Sequence, residues 1–444
     1  MIEAMASRLA AGGAFLRARA KTVWAILFYA GERAIFIGLS FLVYALMART
    51  YGAEIFGLYS YAQSIVYLFA PFLALGAEAV LVRELVRRPE ERGAILGSAF
   101  GMLTLATLGA VLIPIGLIAL LRPGDGAALM VGTALALSFV PNAFFVIEHL
   151  FKAEVRAKLI ATARTIAMGT SAAAKLFLIW REAPIFYVAA AVALETCVLA
   201  CAYGYFYLTR VKDVGAWRFT WPQARLIASQ SVPAMVAAVA VTAFFRISQI
   251  NLGQFAGYGE VAEYAVAFQI IQVVWMAPTI FFSAVYPRLV QIDAESDAAL
   301  DVVNRRLLLG FALASYGIAA GLILFGGPIL TLTFGPEFAN SQVTLAILAA
   351  SSAFVFSGAV RGRYIFLKDA PIYHLYNTAI GLAVLLPLNW ALIPRYGDQG
   401  AAMSVAAGLL ASAVLSSFAF AKTRAFGRDQ ISALLLLPLL RRAS

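Results

Sequence analysis

Apolar residues in this chain do not alternate with polar ones. They come in long runs broken by short polar or Gly/Pro-bearing turns. A helix crossing ~30 Å of hydrocarbon needs about 20 mostly apolar residues. Runs of that length lie at 23–47, 58–82, 94–120, 127–148, 159–180, 184–208, 226–250, 261–286, 307–333, 342–367, 372–393 and 399–421. Several are apolar on every face, so length rather than period identifies them as spans. Turns such as Arg-Pro-Gly-Asp-Gly at 122–126 are short enough to make neighbouring spans antiparallel, and no loop could hold a separate soluble domain. The expected fold is all-α: a polytopic membrane protein of about 12 transmembrane helices.

Composition agrees. Of 444 residues, 62% are hydrophobic and 13% charged, against roughly 45–50% and about 25% in soluble domains. Mean hydropathy is +0.86. So few charges cannot cover a water-soluble particle, which argues against a soluble enzyme. The net charge of +11 is distributed as topology requires. Cytoplasmic loops collect Lys and Arg, and here the basic residues gather at alternate loops: Arg83, Arg87, Arg88 and Arg92; Lys152, Arg156 and Lys158; Arg210 to Arg225; Arg288, Arg305 and Arg306; Arg361 to Lys368; and Lys422 onward. The other side holds Arg49, Arg122, Arg181 and Arg395. Both termini should then be cytoplasmic. A nucleic-acid partner would want its basic residues on one soluble face, not scattered between spans. The run Val23–Met47 is too long for the apolar part of a signal peptide and reads as a retained first span.

An internal repeat is expected. Tyr59-Ser60-Tyr61-Ala62 precedes an apolar run ending at Arg83, and Tyr264-Ala265-Val266-Ala267 precedes one ending at Arg288. The Tyr-Gly turns at Tyr51-Gly52 and Tyr258-Gly259 repeat with a small offset. This divides the chain into an N-terminal lobe at 1–213 and a C-terminal lobe at 214–444, six spans each and parallel in orientation, with a tail at 428–442 that reads as an interfacial helix.

Candidate chemistry lies in the charges placed within spans, because an ionised side chain at a helix centre costs ~2.5–3.5 kcal/mol on insertion scales. These are Arg33, Arg164, Lys175 and Arg246, with Glu32, Glu78, Glu148 and Glu195. Glu32 and Arg33 lie about ten residues into the first span, too deep for easy snorkelling. Two readings compete for them: a hydrated cavity of positive charge, or a structural ion pair. Arg246 could face such a cavity or snorkel to the headgroups. For Arg164 and Lys175, nearer span ends, snorkelling is the simpler reading, and Glu78 and Glu148 read as interfacial. Glu195, in mid-span, is a candidate ion carrier or a satisfied structural carboxyl. Gln63 with Ser64, Gln230 with Ser231, and the i, i+3 pair Gln269 and Gln272 could hydrogen-bond a sugar or simply link helices. Gly97/Gly101 and Gly317/Gly321 are spaced for helix packing. Pro71, Pro114, Pro141, Pro233 and Pro278 should break or bend spans. His149, His374, Cys197 and Cys201 match no metal-ligand spacing, and no Walker A sequence occurs. No catalytic constellation and no cofactor is expected.

Several stretches resemble a known family: Ala48-Arg49-Thr50-Tyr51-Gly52-Ala53-Glu54-Ile55-Phe56-Gly57-Leu58-Tyr59-Ser60, Val82-Arg83-Glu84-Leu85, Arg246-Ile247-Ser248-Gln249-Ile250-Asn251-Leu252-Gly253, Tyr286-Pro287-Arg288-Leu289, and Leu392-Ile393-Pro394-Arg395-Tyr396-Gly397-Asp398-Gln399-Gly400-Ala401-Ala402. Their order and spacing resemble the O-antigen flippases (Wzx type) of the multidrug/oligosaccharidyl-lipid/polysaccharide (MOP) exporter superfamily. The resemblance implies two six-helix lobes in a V around a cationic cavity in the bacterial inner membrane. It implies undecaprenyl-pyrophosphate-linked oligosaccharide as cargo, membrane lipids as surroundings, and a polysaccharide polymerase or other export machinery as partners. Related lipid II flippases line the cavity with basic residues of the first and seventh or eighth helices, and Arg33 and Arg246 best match those positions. Many relatives carry Asp where Ser248 stands, a departure that bears on ion coupling. The rivals are a multidrug exporter of the same fold, which should have an acidic or aromatic cavity, and a non-transporting scaffold for glycosyltransferases.

Overall fold

The computed structural model describes residues 37–211, 216–367 and 372–438. The chain divides into a short unit, Met1–Tyr44, and a large one, Ala45–Ser444. Of the short unit the described part, 37–44, is helical. Glu32 and Arg33 lie outside the described residues, as do most of the first predicted span and both chain termini.

The large unit is built from helices joined by short turns and one extended segment among its described residues. Helix α1 covers 45–68. It is followed by α2 (Ala70–Ala74), α3 (Glu78–Arg87), α4 (Arg92–Leu121), α5 (Gly126–Leu137), α6 (Val146–Ala153), α7 (Ala157–Trp180), α8 (Ile185–Arg210), α9 (Trp221–Phe255), α10 (Tyr258–Trp275), α11 (Ala277–Glu295), α12 (Asp297–Phe334), α13 (Ser341–Leu367), α14 (Ile372–Ala413) and α15 (Arg424–Leu434). Among the described residues, 9 helical stretches are long and apolar enough to cross a bilayer. A further one, α7, has 24 residues and carries Lys158, Arg164 and Lys175. The stretch Tyr373–Phe418 holds two spans: Gly397, at φ 53° and ψ −129°, turns the chain where a residue with a Cβ would be strained.

Proline acts unevenly. Pro71 opens α2 just after α1 ends, Pro141 lies in the 3-10 turn Val140–Phe145 between α5 and α6, and Pro278 opens α11 after a break at Met276. Pro114 and Pro233 instead lie inside continuous helices. The second, fourth and eighth spans are therefore each built from helical pieces.

Helices α3 to α8 pack on one another through α4–α5, α5–α8, α7–α8 and α3–α6, and α10 to α15 through α12–α13, α13–α14 and α10–α13. Helix α9 touches both groups, meeting α2, α3 and α4 on one side and α10 and α14 on the other. Lipid is as apolar as leucine, so close van der Waals packing rather than hydrophobic transfer holds such helices together. Leu81, Ile95, Phe151, Tyr203 and Ile227 form one buried cluster; Phe282, Leu308, Val360 and Phe426 form another, which seats α15. Arg305 on α12 also pairs with Asp429 of α15 at 3.0 Å.

Small residues depart from expectation. Gly97 and Gly101 do not face another helix: a Cβ on Gly97 would meet the Arg218 backbone at 2.5 Å, and one on Gly101 the Phe219 ring at 2.9 Å. They make room for the extended segment between α8 and α9. Among the described residues, a Cβ on Gly317 or Gly321 would meet nothing within 4 Å, so these two pack against no described helix. Cys197 and Cys201 are exposed and free rather than packed.

Candidate functional site

Three polar regions can be built from the residues upward. The first lies midway along α1 and α9. On α1, Ser60, Gln63, Ser64 and Tyr67 recur at helical spacing and form one stripe. Facing them, Arg246 and Gln249 share a side of α9. Ser64 Oγ donates to Gln249 Oε1 at 2.6 Å, and Arg246 donates to the same oxygen at 3.5 Å. The Arg246 guanidinium lies 5.9 Å from the centroid of the Tyr67 ring, within cation–π range. Gln63 Nε2 donates to Tyr59 Oη at 3.3 Å. The buried hydroxyls of Ser60 and Tyr264 find no hydrogen-bond partner among the described residues. Arg246 thus turns inward, against the snorkelling reading, and no carboxylate lies within ion-pair distance of it among the described residues.

Lys175 of α7 and Glu195 of α8 form a second pair within the spans, with Nζ and Oε2 3.6 Å apart. Lys175 therefore does not snorkel: it has a partner on the neighbouring helix. Ser248, at the position where many relatives have Asp, is buried and makes a neutral pair with Asn389, whose Nδ2 donates to Ser248 Oγ at 3.1 Å. Gln269 is half-buried and Gln272 exposed on α10; neither joins the hydrogen bonds around Arg246.

The second region lies at the basic end of the helices. Glu148 is buried, 6% exposed, and partnered within the protein. Its Oε1 takes Lys152 and Arg164, each at 2.8 Å, and its Oε2 accepts from Tyr203 Oη at 2.6 Å. Lys152 also reaches Glu78 at 2.8 Å. Arg164 is thereby drawn into a network separate from Arg246, and its snorkelling reading gives way to this pairing. Length of helix places these groups near a span end; only the three-dimensional packing of α3, α6, α7 and α8 shows that they converge.

The third region is at the opposite end. Tyr258 of α10 donates to Asp125, whose other oxygen caps α5 by accepting from Ala128 N–H at 2.9 Å. The Arg122 guanidinium lies 4.9 Å from the Tyr258 ring centroid and 5.6 Å from that of Tyr61. Gln254 donates to Tyr61 Oη. Arg49 donates to the carbonyls of Thr331, Leu332 and Thr333 at the end of α12, where orphan carbonyls await donors. Gly57 makes the approach possible: a Cβ there would sit 1.8 Å from the Tyr258 carbonyl oxygen. At this end α1 and the α4–α5 turn are held to α9 and α10. The resemblance motif containing Arg49 and Gly57 marked this region in the sequence; Arg122 and Asp125 were legible there only as turn residues.

Comparison with known proteins fits this architecture. Residues 25–293 match the family model for polysaccharide biosynthesis proteins. A probable low-salt glycan biosynthesis flippase, Agl15 of Haloferax volcanii, is 23% identical over 165 residues, which is 37% of this chain and 35% of Agl15; the match thus spans about a third of that relative's length. Among solved structures, the lipid II flippase MurJ in an inward closed conformation superposes with a TM-score of 0.71 at 13% identity, covering 94% of this chain and 93% of MurJ. An inward-facing multidrug resistance transporter of the MATE family and MOP superfamily gives 0.67 at 14% identity, covering 90% and 94%. At such identities the solved structures speak for the fold. The chain is a multi-pass membrane protein with the fold of the MOP transporters, and it belongs to the polysaccharide biosynthesis protein family.

Proposed function

We propose that this protein is a flippase for a lipid-linked glycan, moving the sugar-bearing headgroup of an undecaprenyl-pyrophosphate-linked oligosaccharide from the cytoplasmic to the outer leaflet of a bacterial inner membrane, with both termini cytoplasmic. One observation carries the reading: Arg246, within the membrane-spanning helix α9, is held among hydrogen-bonding and aromatic side chains, with no carboxylate within ion-pair distance among the described residues. An unpaired charge at that depth is costly. A phosphoryl headgroup would offset the cost, because guanidinium binds phosphoryl oxygens through paired, charge-assisted hydrogen bonds.

The headgroup cannot cross hydrocarbon alone, since burying its charge unpaired costs far more than thermal energy. Arg246, with Lys175 nearby and Arg33 by resemblance, replaces water around the phosphoryl oxygens. Gln63 and its neighbours, and Gln269 and Gln272 on α10, offer amides to sugar hydroxyls. Glu32 stands next to Arg33 as a further candidate. Arg164 is assigned away from this site, because Glu148 already neutralises it. The polyprenyl tail stays in lipid while the helix groups of residues 1–213 and 214–444 rock about the headgroup.

A multidrug exporter of organic cations shares the fold, but the Glu195 carboxylate within the spans is already paired with Lys175. The test is reconstitution of the purified protein into vesicles containing lipid-linked oligosaccharide, scoring its appearance in the far leaflet with and without an ion gradient. Protein-dependent appearance is expected. Transport of organic cations with no movement of the glycolipid would overturn the reading.

A further inference from the structure

The Lys175–Glu195 pair differs from the pairs that Glu148 makes in how loosely it is made. Its 3.6 Å separation exceeds the ~2.7–2.9 Å of a charge-assisted hydrogen bond. Glu195 has no other hydrogen bond among the described residues, whereas Glu148 takes three partners at 2.6–2.8 Å. Yet the frame around the pair is tight. One turn earlier on both helices, Ser171 Oγ donates to the Ala191 carbonyl at 3.2 Å. The next residue, Thr196, donates to the Ser138 carbonyl at 2.7 Å and ties α8 to the end of α5. The two side chains are thus delivered to one place by rigid helices and left barely in contact. Both remain partly accessible, at 16% for Lys175 and 32% for Glu195.

We infer that this is an exchangeable pair: Glu195 occupies Lys175 until the cargo arrives, and a phosphoryl oxygen then takes the place of the carboxylate. This rests on the reading of the cargo as a lipid with a phosphoryl head. Glu195 is a positioning residue in this account. It keeps the Lys175 ammonium compensated at membrane depth, and it weakens anion binding enough to let the headgroup leave. A single loose contact is cheap to exchange, unlike a fully ligated carboxylate. A carrier needs such a compromise, because a site that holds its cargo too well in one state does not release it in the other.

The experiment is titration of the purified full-length protein in detergent with inorganic pyrophosphate, followed by calorimetry. E195Q should bind about tenfold tighter and K175Q about tenfold weaker, within the usual range of coupling between adjacent groups. K175R, which keeps the charge, should bind like the wild type. The double variant K175Q/E195Q should bind no more tightly than K175Q, because the gain from removing Glu195 passes through Lys175. Melting temperatures of all variants, with E195D as a variant that keeps the carboxylate, identify any loss through misfolding. If E195Q tightens binding equally when Lys175 is absent, the carboxylate acts only through its field and the exchange is refuted. Weaker binding by E195Q refutes it as well. Binding that is lost in R246Q but indifferent to both 175 and 195 refutes the exchange and leaves the phosphoryl reading standing. Absence of pyrophosphate binding by the wild type overturns both.

Discussion

Two charge clusters in this protein have opposite character. At the basic end, Glu148 is buried and takes Lys152, Arg164 and Tyr203. Within α9, Arg246 has one long hydrogen bond and an aromatic ring, and no carboxylate within ion-pair distance among the described residues. Both clusters place ionisable groups where hydrocarbon disfavours them. The first neutralises itself, so it is complete without any other molecule and reads as structure. The second is short of negative charge, so it reads as half of a binding site. Depth in a span therefore does not identify function; the balance of partners does.

The comparison can be broken from either side. The largest effect is expected at Arg246. R246A should lower glycolipid translocation by a factor of about 100 or more, the scale of ~3 kcal/mol for a lost charged contact to substrate, while melting stays near wild type. R246K should recover part of the activity, since an ammonium keeps the charge and loses the paired geometry. The next largest effect belongs to the neutralised cluster and appears as stability. E148A leaves Arg164 without its anion and Lys152 with Glu78 alone, and should cost about 2–4 kcal/mol, discounted because Arg164 is half exposed; thermal unfolding in detergent measures it. Y203F removes one hydrogen bond to the same carboxylate and should cost about 1–2 kcal/mol. The smallest effect is Y67L. It removes the ring beside the guanidinium and should weaken pyrophosphate binding a few-fold, as for a partly buried cation–π contact of about 1 kcal/mol.

Much of this fold could be read from the sequence, and the reason is physical. Span length and loop charge are set residue by residue, so the run 94–120 corresponds to Arg92–Leu121 and the run 184–208 to Ile185–Arg210. The breaks inside spans were half legible: Pro71, Pro141 and Pro278 mark them, yet Pro114 and Pro233 look alike in sequence and leave their helices continuous. What the sequence withheld is pairing across helices. Lys175 and Glu195 lie 20 positions apart, Ser64 and Gln249 far more, and nothing local couples them. For the same reason the partner of Arg164 was not legible, and only the packing of α6 against α7 brought Glu148 to it.

The most direct test sets the two clusters side by side in one assay. Wild type, R246A and E148Q are reconstituted into vesicles with lipid-linked oligosaccharide, and far-leaflet appearance and melting temperature are recorded for each. The account predicts that R246A melts like the wild type and moves almost no glycolipid, while E148Q melts lower and still transports below its melting point. Normal translocation by R246A, together with its loss in a well-folded E148Q, would contradict it.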